Sequence, residues 1–304
     1  MNSLAIQSLP TAARDAARIA HRMGIPVHYI ESYQFPDGEL RVTVGQAAQT
    51  NIIYAPLDRP NDKLLAVLFA AEALRRNGGA RLVLLAPYLC YMRQDTAFKA
   101  CEAISQKVIG QLLAQTVDRV ITVDAHLHRT PDIGSVFPGI AAENLSATPA
   151  IADALRKDAV DPRTVVVGPD AESLTWVRDL AGRLGLAHAV SRKIRLGDRA
   201  VEIELGAKVS GRPILLVDDI VSSGGTLIGC AQALAAAGAK TIDAVITHAL
   251  FPPEMIGDFA RAGIRSVRST YSVPHPTNAV ILDDLFVAAL ENEMNNSAFS
   301  ESAS

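Results

Sequence analysis

Short runs of apolar, branched residues alternate along the chain with longer runs whose apolar positions recur at helical spacing. In the first half these read NIIYAPL, KLLAVLFAAEALRRNGG, ARLVLLAPYL, ISQKVIGQLLAQT and DRVITVDAHL. The first, third and fifth have the length and composition of strands covered on both faces, and the other two those of helices. After NLSATPA the cadence restarts with IADALRKDA, TVVVGPD, SLTWVRDLAGRLG, HAVSRKIR, AVEIEL, a strand-to-helix segment from Ile214 to Lys240, and TIDAVITHALF. The alternation predicts an α/β fold with two similar halves, each a mainly parallel sheet flanked by helices. Asn, Ser, Thr and Pro cluster at residues 144 to 150, so the domains are expected at 1–145 and 146–290. From Glu291 the sequence ENEMNNSAFSESAS is polar with few apolar anchors, which predicts a disordered tail over 291–304. The stretch HRTPDIGSVFPGIAAENLSATPA carries no strand or helix signal and reads as a long functional or interface loop.

Composition narrows the classes. A chain of 304 residues, 49% hydrophobic and 20% charged, is globular and long enough for two domains. Its net charge of −3 offers no basic field for nucleic acid and no attraction to an anionic membrane, so any cationic site is local. Cys90, Cys101 and Cys230 are odd in number and form no C-x-x-C pair, which fits reduced thiols in a cytosol. There is no signal-peptide pattern and no run of 18 apolar residues, so a soluble cytoplasmic protein is expected.

One loop carries the most chemistry. The run Ile214 to Val217 suits a buried strand, ends at the carboxylate pair Asp218 and Asp219, and passes through Ser222, Ser223, Gly224, Gly225 and Thr226 into the helical segment LIGCAQALAAAGAK. The small residues let backbone N–H groups turn toward one point, where a helix N-terminus also favours an anion. Neither a P-loop lysine nor a dinucleotide G-x-G-x-x-G is present. Two acids beside a phosphate repel it unless they serve hydroxyls or a metal, so a sugar phosphate fits. Amides would hold its phosphate while Asp218 and Asp219 accept from ring hydroxyls. An ordinary capped strand-to-helix turn is the alternative.

Ligands of open α/β sheets lie at the carboxyl ends of strands, which singles out further stretches. Phe35-Pro36-Asp37-Gly38-Glu39 puts an aromatic and two acids on a turn, although Pro-Asp-Gly is a common turn by itself. In Tyr91-Met92-Arg93-Gln94-Asp95 an arginine and an amide are suited to phosphate oxygens and a base edge; a solvated charge cluster is the alternative. Val123-Asp124-Ala125-His126-Leu127-His128-Arg129 spaces two histidines for one face of extended chain but lacks the third nitrogen or sulfur ligand of a zinc site. One histidine with phosphate oxygens and waters suits magnesium better. Gly168-Pro169-Asp170 ends a strand with an acid able to hold a metal ion or its waters, or merely to cap a helix. Ser191 to Arg199 holds four cations in nine residues of an acidic protein, as a basic hairpin closing over polyphosphate would, or a solvated one.

Collinear over about residues 30 to 290, these stretches resemble the ribose-phosphate diphosphokinases, or phosphoribosyl pyrophosphate synthetases. The resemblance implies two phosphoribosyltransferase-like domains and transfer of diphosphate from Mg-ATP to the 1-hydroxyl of ribose 5-phosphate, giving phosphoribosyl pyrophosphate and AMP. It implies ATP contacts for Phe35, Asp37, Glu39, Arg93, Gln94, Asp95 and His126, with part of the site coming from a neighbouring subunit of a homo-oligomer. His126 and Asp170 are implied as magnesium-linked. Asp218 and Asp219 are implied on ribose hydroxyls, Ser222, Ser223, Gly224, Gly225 and Thr226 on the 5-phosphate, and Lys193 and Arg195 as the catalytic pair. VPHPTN, from Val273 to Asn278, is similar to a family segment as well. The sequence departs from many relatives in Ala171-Glu172-Ser173, in Ile194 between Lys193 and Arg195, and in Thr96, and DAHLHR and K-x-R look more like the archaeal-type branch. A phosphoribosyltransferase shares the Asp218 loop but is half this length, and a non-catalytic regulatory subunit would have no need of Lys193, Arg195, His126 and Asp219.

Overall fold

A computed structural model describes residues 3–195, 201–205 and 209–301, without the side chains of 192–195, 201–205 and 295–301. The chain divides into two compact units, Met1–Leu145 with Leu282–Ser304, and Ser146–Ile281.

The first unit is built on a six-stranded, wholly parallel sheet. Its strands are β1 (Leu4–Ser8), β2 (Val27–Tyr29), β5 (Thr50–Tyr54), β6 (Arg81–Ala86), β7 (Arg119–Val123) and β8 (Ala141–Leu145), in the order β2-β1-β5-β6-β7-β8. A separate antiparallel hairpin pairs β3 (Glu31–Gln34) with β4 (Leu40–Thr43). The helices are α1 (Ala13–Met23), α2 (Pro60–Arg76) and α3 (Ser105–Ala114). β1, β5 and β7 are buried at every position, as strands covered on both faces must be.

The second unit follows the same plan with α4 (Thr148–Lys157), β9 (Val165–Gly168), α5 (Leu174–Leu184), β10 (Ala187–Arg195), β11 (Val201–Leu205), β12 (Pro213–Val221), α6 (Gly225–Ala236), β13 (Thr241–Ala249), α7 (Met255–Arg261), β14 (Ile264–Thr270) and β15 (Asn278–Val280). Its seven strands run β11-β10-β9-β12-β13-β14-β15, parallel throughout except where β10 turns back into β11. Val165, Val167, Ile214, Leu216, Ala244 and Ile246 from the sheet meet Leu227, Ala231 and Leu234 of α6 and Phe259 of α7 in one core.

The structure departs from the sequence reading in three places. The stretch read as a structureless loop contains a short helical turn, Ile133–Val136, and the whole of β8. With no buried position and with two adjacent polar residues, Glu143 and Asn144, AAENL has none of the apolar density that marked the other strands, and it is recruited because β7 needs a neighbour on its open edge. The strand bearing the acid pair runs on through Asp218 and Asp219 to Val221, held by pairing to β13. Last, where the sequence placed residues up to 290 in the second domain and a disordered tail beyond, α8 (Asp283–Glu301) groups with the first unit. Glu293, with a side chain only 2% exposed, meets Arg81 through two bonds of 2.7 and 2.8 Å and Arg119 at 2.9 Å. Asp283 takes a forked pair from Arg18 at 2.8 and 3.1 Å. Phe286 packs edge-on against Tyr54. Burial alone would push the Glu293 carboxyl up, but the two arginines win and hold it below its ordinary range. No helix among the described residues is long and apolar enough to cross a membrane.

Candidate active site

In the second unit β9 and β12 are neighbours, so their carboxyl ends bring Asp170, Asp218 and Asp219 to one edge of the sheet. Gly168 closes β9 where a Cβ would lie 1.9 Å from Ser173 Oγ and 2.9 Å from Val177 Cγ2, so no side chain fits. Its carbonyl accepts a 2.8 Å bond from the buried Ser191 hydroxyl. Asp170 Oδ1 accepts from the N–H groups of Glu172 and Ser173 at 3.0 and 3.2 Å, while Ser173 Oγ donates back to the Asp170 carbonyl at 2.6 Å. Ala171-Glu172-Ser173 therefore forms a closed turn leading into α5, with Asp170 anchored at its start.

Asp219 is buried, and its Oδ1 accepts from the Ile220 N–H at 2.8 Å. Asp218 Oδ1 accepts from the Asp219 N–H at 3.1 Å. Burial first, then the negative charges of Asp219 and Asp170, push the Asp218 carboxyl well above its ordinary range. These are hard oxygen donors crowded against one another, which a divalent cation or the hydroxyls of a sugar would relieve. Beyond Val221 the chain runs through Ser222 and Ser223 to Gly224, which sits in the left-handed region at φ 67° and opens α6. No side chain caps that helix, so its first N–H groups, flanked by Gly225 and Thr226, remain for an anion. At Gly224 a Cβ would lie 2.4 Å from Met255 Cε and 2.8 Å from the buried Phe259 ring, so α7 packs where only glycine can pass.

Lys193 and Arg195 fall in β10, opposite Ile203 and Val201 of β11; their side chains lie outside the described residues, as do residues 196–200 between the strands.

In the first unit, the hairpin β3–β4 carries Phe35-Pro36-Asp37-Gly38-Glu39 at its tip. Phe35 N–H donates to Glu39 O at 2.8 Å, Gly38 N–H to Phe35 O at 2.9 Å, and Asp37 Oδ1 accepts from the Glu39 N–H at 3.1 Å. Phe35 is 38% exposed and meets the exposed Tyr33 edge-on with ring centroids 5.0 Å apart. The turn expected from the sequence is present, and what the sequence left unread is the pair of strands that lifts it off the sheet.

After β6, Arg93 is exposed, and Gln94 and Asp95 are half-buried. Gln94 Oε1 accepts from Ser105 Oγ at 2.5 Å, and Asp95, with a side chain 2% exposed, is ion-paired to Arg129 at 2.9 Å. After β7, Asp124 adopts φ 38° and the Ala125 N–H donates to Asn144 Oδ1 at 2.8 Å. The turn leaves the rings of His126 and His128 edge-on, centroids 3.8 Å apart. The first unit thus gathers His126 and Arg93 at neighbouring strand ends, while Phe35, Asp37 and Glu39 stand on their own hairpin.

Comparison with known proteins agrees with this architecture. Residues 4–116 match the family described as the N-terminal domain of ribose phosphate pyrophosphokinase, and residues 142–255 match the phosphoribosyl transferase domain. The chain is 31% identical to the ribose-phosphate pyrophosphokinase of Methanopyrus kandleri over 278 residues, covering 90% of this chain and 94% of that one. It is 33% identical to the ribose-phosphate pyrophosphokinase of Bradyrhizobium diazoefficiens over 272 residues, covering 87% and 84%. The phosphoribosylpyrophosphate synthetase structure from Mycobacterium smegmatis superposes with a TM-score of 0.84 at 24% identity, covering 97% of this chain and 100% of that one, and so shares its fold.

Proposed function

The chain belongs to the ribose-phosphate pyrophosphokinase family, and on that footing we propose how its own residues move diphosphate from ATP to the 1-hydroxyl of ribose 5-phosphate, yielding phosphoribosyl pyrophosphate and AMP. The observation that carries the reading is the join of β12 to α6, where the half-buried Asp218 and the buried Asp219 close a strand that leads through a short loop to a helix N-terminus with no side-chain cap. The N–H groups of Gly225 and Thr226, with the Ser222 and Ser223 hydroxyls, hold the 5-phosphate. Asp218 and Asp219 accept from the ribose hydroxyls and orient the sugar. On the nucleotide side Phe35 stacks on the base, Asp37 and Glu39 meet its polar groups, and Arg93 and His126 serve the triphosphate end. Gln94 and Asp95, whose side chains are already bonded, act by holding the segment that bears Arg93.

The 1-hydroxyl oxygen attacks the β-phosphorus, the bond from that phosphorus to the bridging oxygen of the α-phosphate breaks, and AMP leaves with the bridging oxygen. The hydroxyl proton passes to Asp219 or to water. Lys193 and Arg195 meet the charge that develops on the transferred group. Magnesium is the ion this reading calls for: His126 on the first unit and Asp170 on the second would each hold a magnesium ion or its waters, and such an ion would supply charge withdrawal at the phosphate oxygens. The hairpin tip at Phe35 serves a neighbouring copy of the chain in a homo-oligomer, and the work is done in the cytoplasm.

The test is AMP formation by the purified protein with Mg-ATP and ribose 5-phosphate, beside Lys193→Ala. Production that depends on ribose 5-phosphate and falls by about a thousandfold in the variant is the expected result. A variant as active as the parent removes Lys193 from the catalytic role.

A further inference from the structure

Asp95 is buried in a manner that calls for an explanation. Its Oδ1 takes the 2.9 Å ion pair from Arg129, while its Oδ2 is buried with no hydrogen-bond partner among the described residues. Burying a carboxylate is costly unless it is paired and hydrogen-bonded, so a residue spent in this way holds something in place. What it holds is mostly outside: the Arg129 side chain is 57% exposed, and its guanidinium lies 5.8 Å from the ring centroid of Phe98, itself 59% exposed.

The surrounding bonds tie the loop after β6 to the segment after β7. Ser105 Oγ donates to Gln94 Oε1 at 2.5 Å, the Gln106 N–H to Gln94 O at 3.2 Å, and Thr130 Oγ1 to Gln106 Oε1 at 3.0 Å. Glu102 accepts from the N–H groups of Phe98 and Lys99 at 2.9 and 3.0 Å, which steadies the ring beneath the guanidinium. Arg129 is therefore a cation held by its ion pair to Asp95 and set over the Phe98 ring, three residues beyond His126, with more than half of its side chain exposed. In a chain of net charge −3, a polyanion needs such local cations, and a pre-oriented guanidinium is the side chain best matched to phosphate oxygens.

Resting on the reading given above, we propose that Arg129 binds the triphosphate of the nucleotide donor and that Asp95 is its positioning residue rather than a nucleotide contact. Asp95 aims the guanidinium and lowers the ordering entropy that a free arginine would lose on binding.

Calorimetric titration of the full chain with ATP and with AMP tests this, alongside kinetics in both substrates. Arg129→Ala should weaken ATP by about tenfold or more and AMP by less than about threefold, with KM for ribose 5-phosphate unmoved. Arg129→Lys should recover part of the loss. Asp95→Asn should weaken ATP in the same sense, and the double variant should be no worse than Arg129→Ala alone. Equal losses for ATP and AMP, unaltered ATP affinity, or a full second loss from Asp95→Asn on top of Arg129→Ala would each overturn the assignment. If Arg129→Ala melts well below the parent, Arg129→Gln carries the same comparison. A parent that binds ATP but makes no AMP with ribose 5-phosphate sinks the diphosphokinase reading, while the ATP-against-AMP contrast still decides Arg129.

Discussion

Gly224→Ala is the substitution whose outcome the structure determines most sharply. At φ 67° an L-residue loses about 1–2 kcal/mol relative to its right-handed alternative. The new methyl would also lie 2.4 Å from Met255 Cε and 2.8 Å from Phe259 Cε1. The methionine end can swing away, but Phe259 is fully buried between α6, α7 and the sheet, so relief comes from moving the loop or overpacking the core, at about 1–3 kcal/mol. The sum, about 2–5 kcal/mol, corresponds to a melting temperature lower by roughly 6–15 °C for a unit of this size. Because the loop is the part free to yield, the cradle at the start of α6 shifts, and KM for ribose 5-phosphate should rise by about tenfold for each 1.4 kcal/mol of lost contact while KM for ATP holds. Gly225→Ala is the internal control for stability, since a Cβ there meets nothing within 4 Å and its φ is ordinary. Calorimetric melting of the three proteins, followed by initial rates in each substrate, is the assay. A Gly224→Ala protein that melts within about 2 °C of the parent with an unchanged KM for ribose 5-phosphate would refute the steric argument.

Gly168→Ala should cost about 2–3 kcal/mol, because the Ser173 hydroxyl it strikes is held by the Asp170 carbonyl; Ser173→Ala in the same chain should return part of that loss in a denaturant titration. Glu293→Gln should lower stability by about 3 kcal/mol at neutral pH, since Arg119 stays buried but loses the charge of one of its two carboxylate partners among the described residues, keeping Glu143 and the Ala289 carbonyl. The pH dependence has a definite sign. The folded Glu293 carboxyl is held below its unfolded value, so its contribution is fully present above the unfolded value and disappears as pH falls through the folded one. Melting curves of parent and variant should converge in acid, and a gap that persists to low pH would count against the ion network as the cause.

The two α/β halves were legible in the sequence because a strand covered on both faces must be continuously apolar, and NIIYAPL, VVVG and ILLV are unmistakable on that ground. The strand-to-helix join from Asp218 to Thr226 was legible for a related reason: a short branched apolar run ending in polar and small residues, then a helical composition, marks such a turn wherever the chain folds that way. β8 was not legible, since AAENL becomes a strand only by pairing with the open edge of β7. Nor was the place of α8, whose polar composition hides the acids that matter until Arg18, Arg81 and Arg119, far away in sequence, are brought beside them. The RQD segment shows the same division within a few residues. Its letters identify residues suited to a nucleotide, but only the fold decides that Arg93 is exposed while Asp95 turns inward to Arg129. Periodicity and backbone chemistry are local and travel with the sequence. Partner choice for a buried charge is settled by desolvation, which exists only once the chain has closed around it.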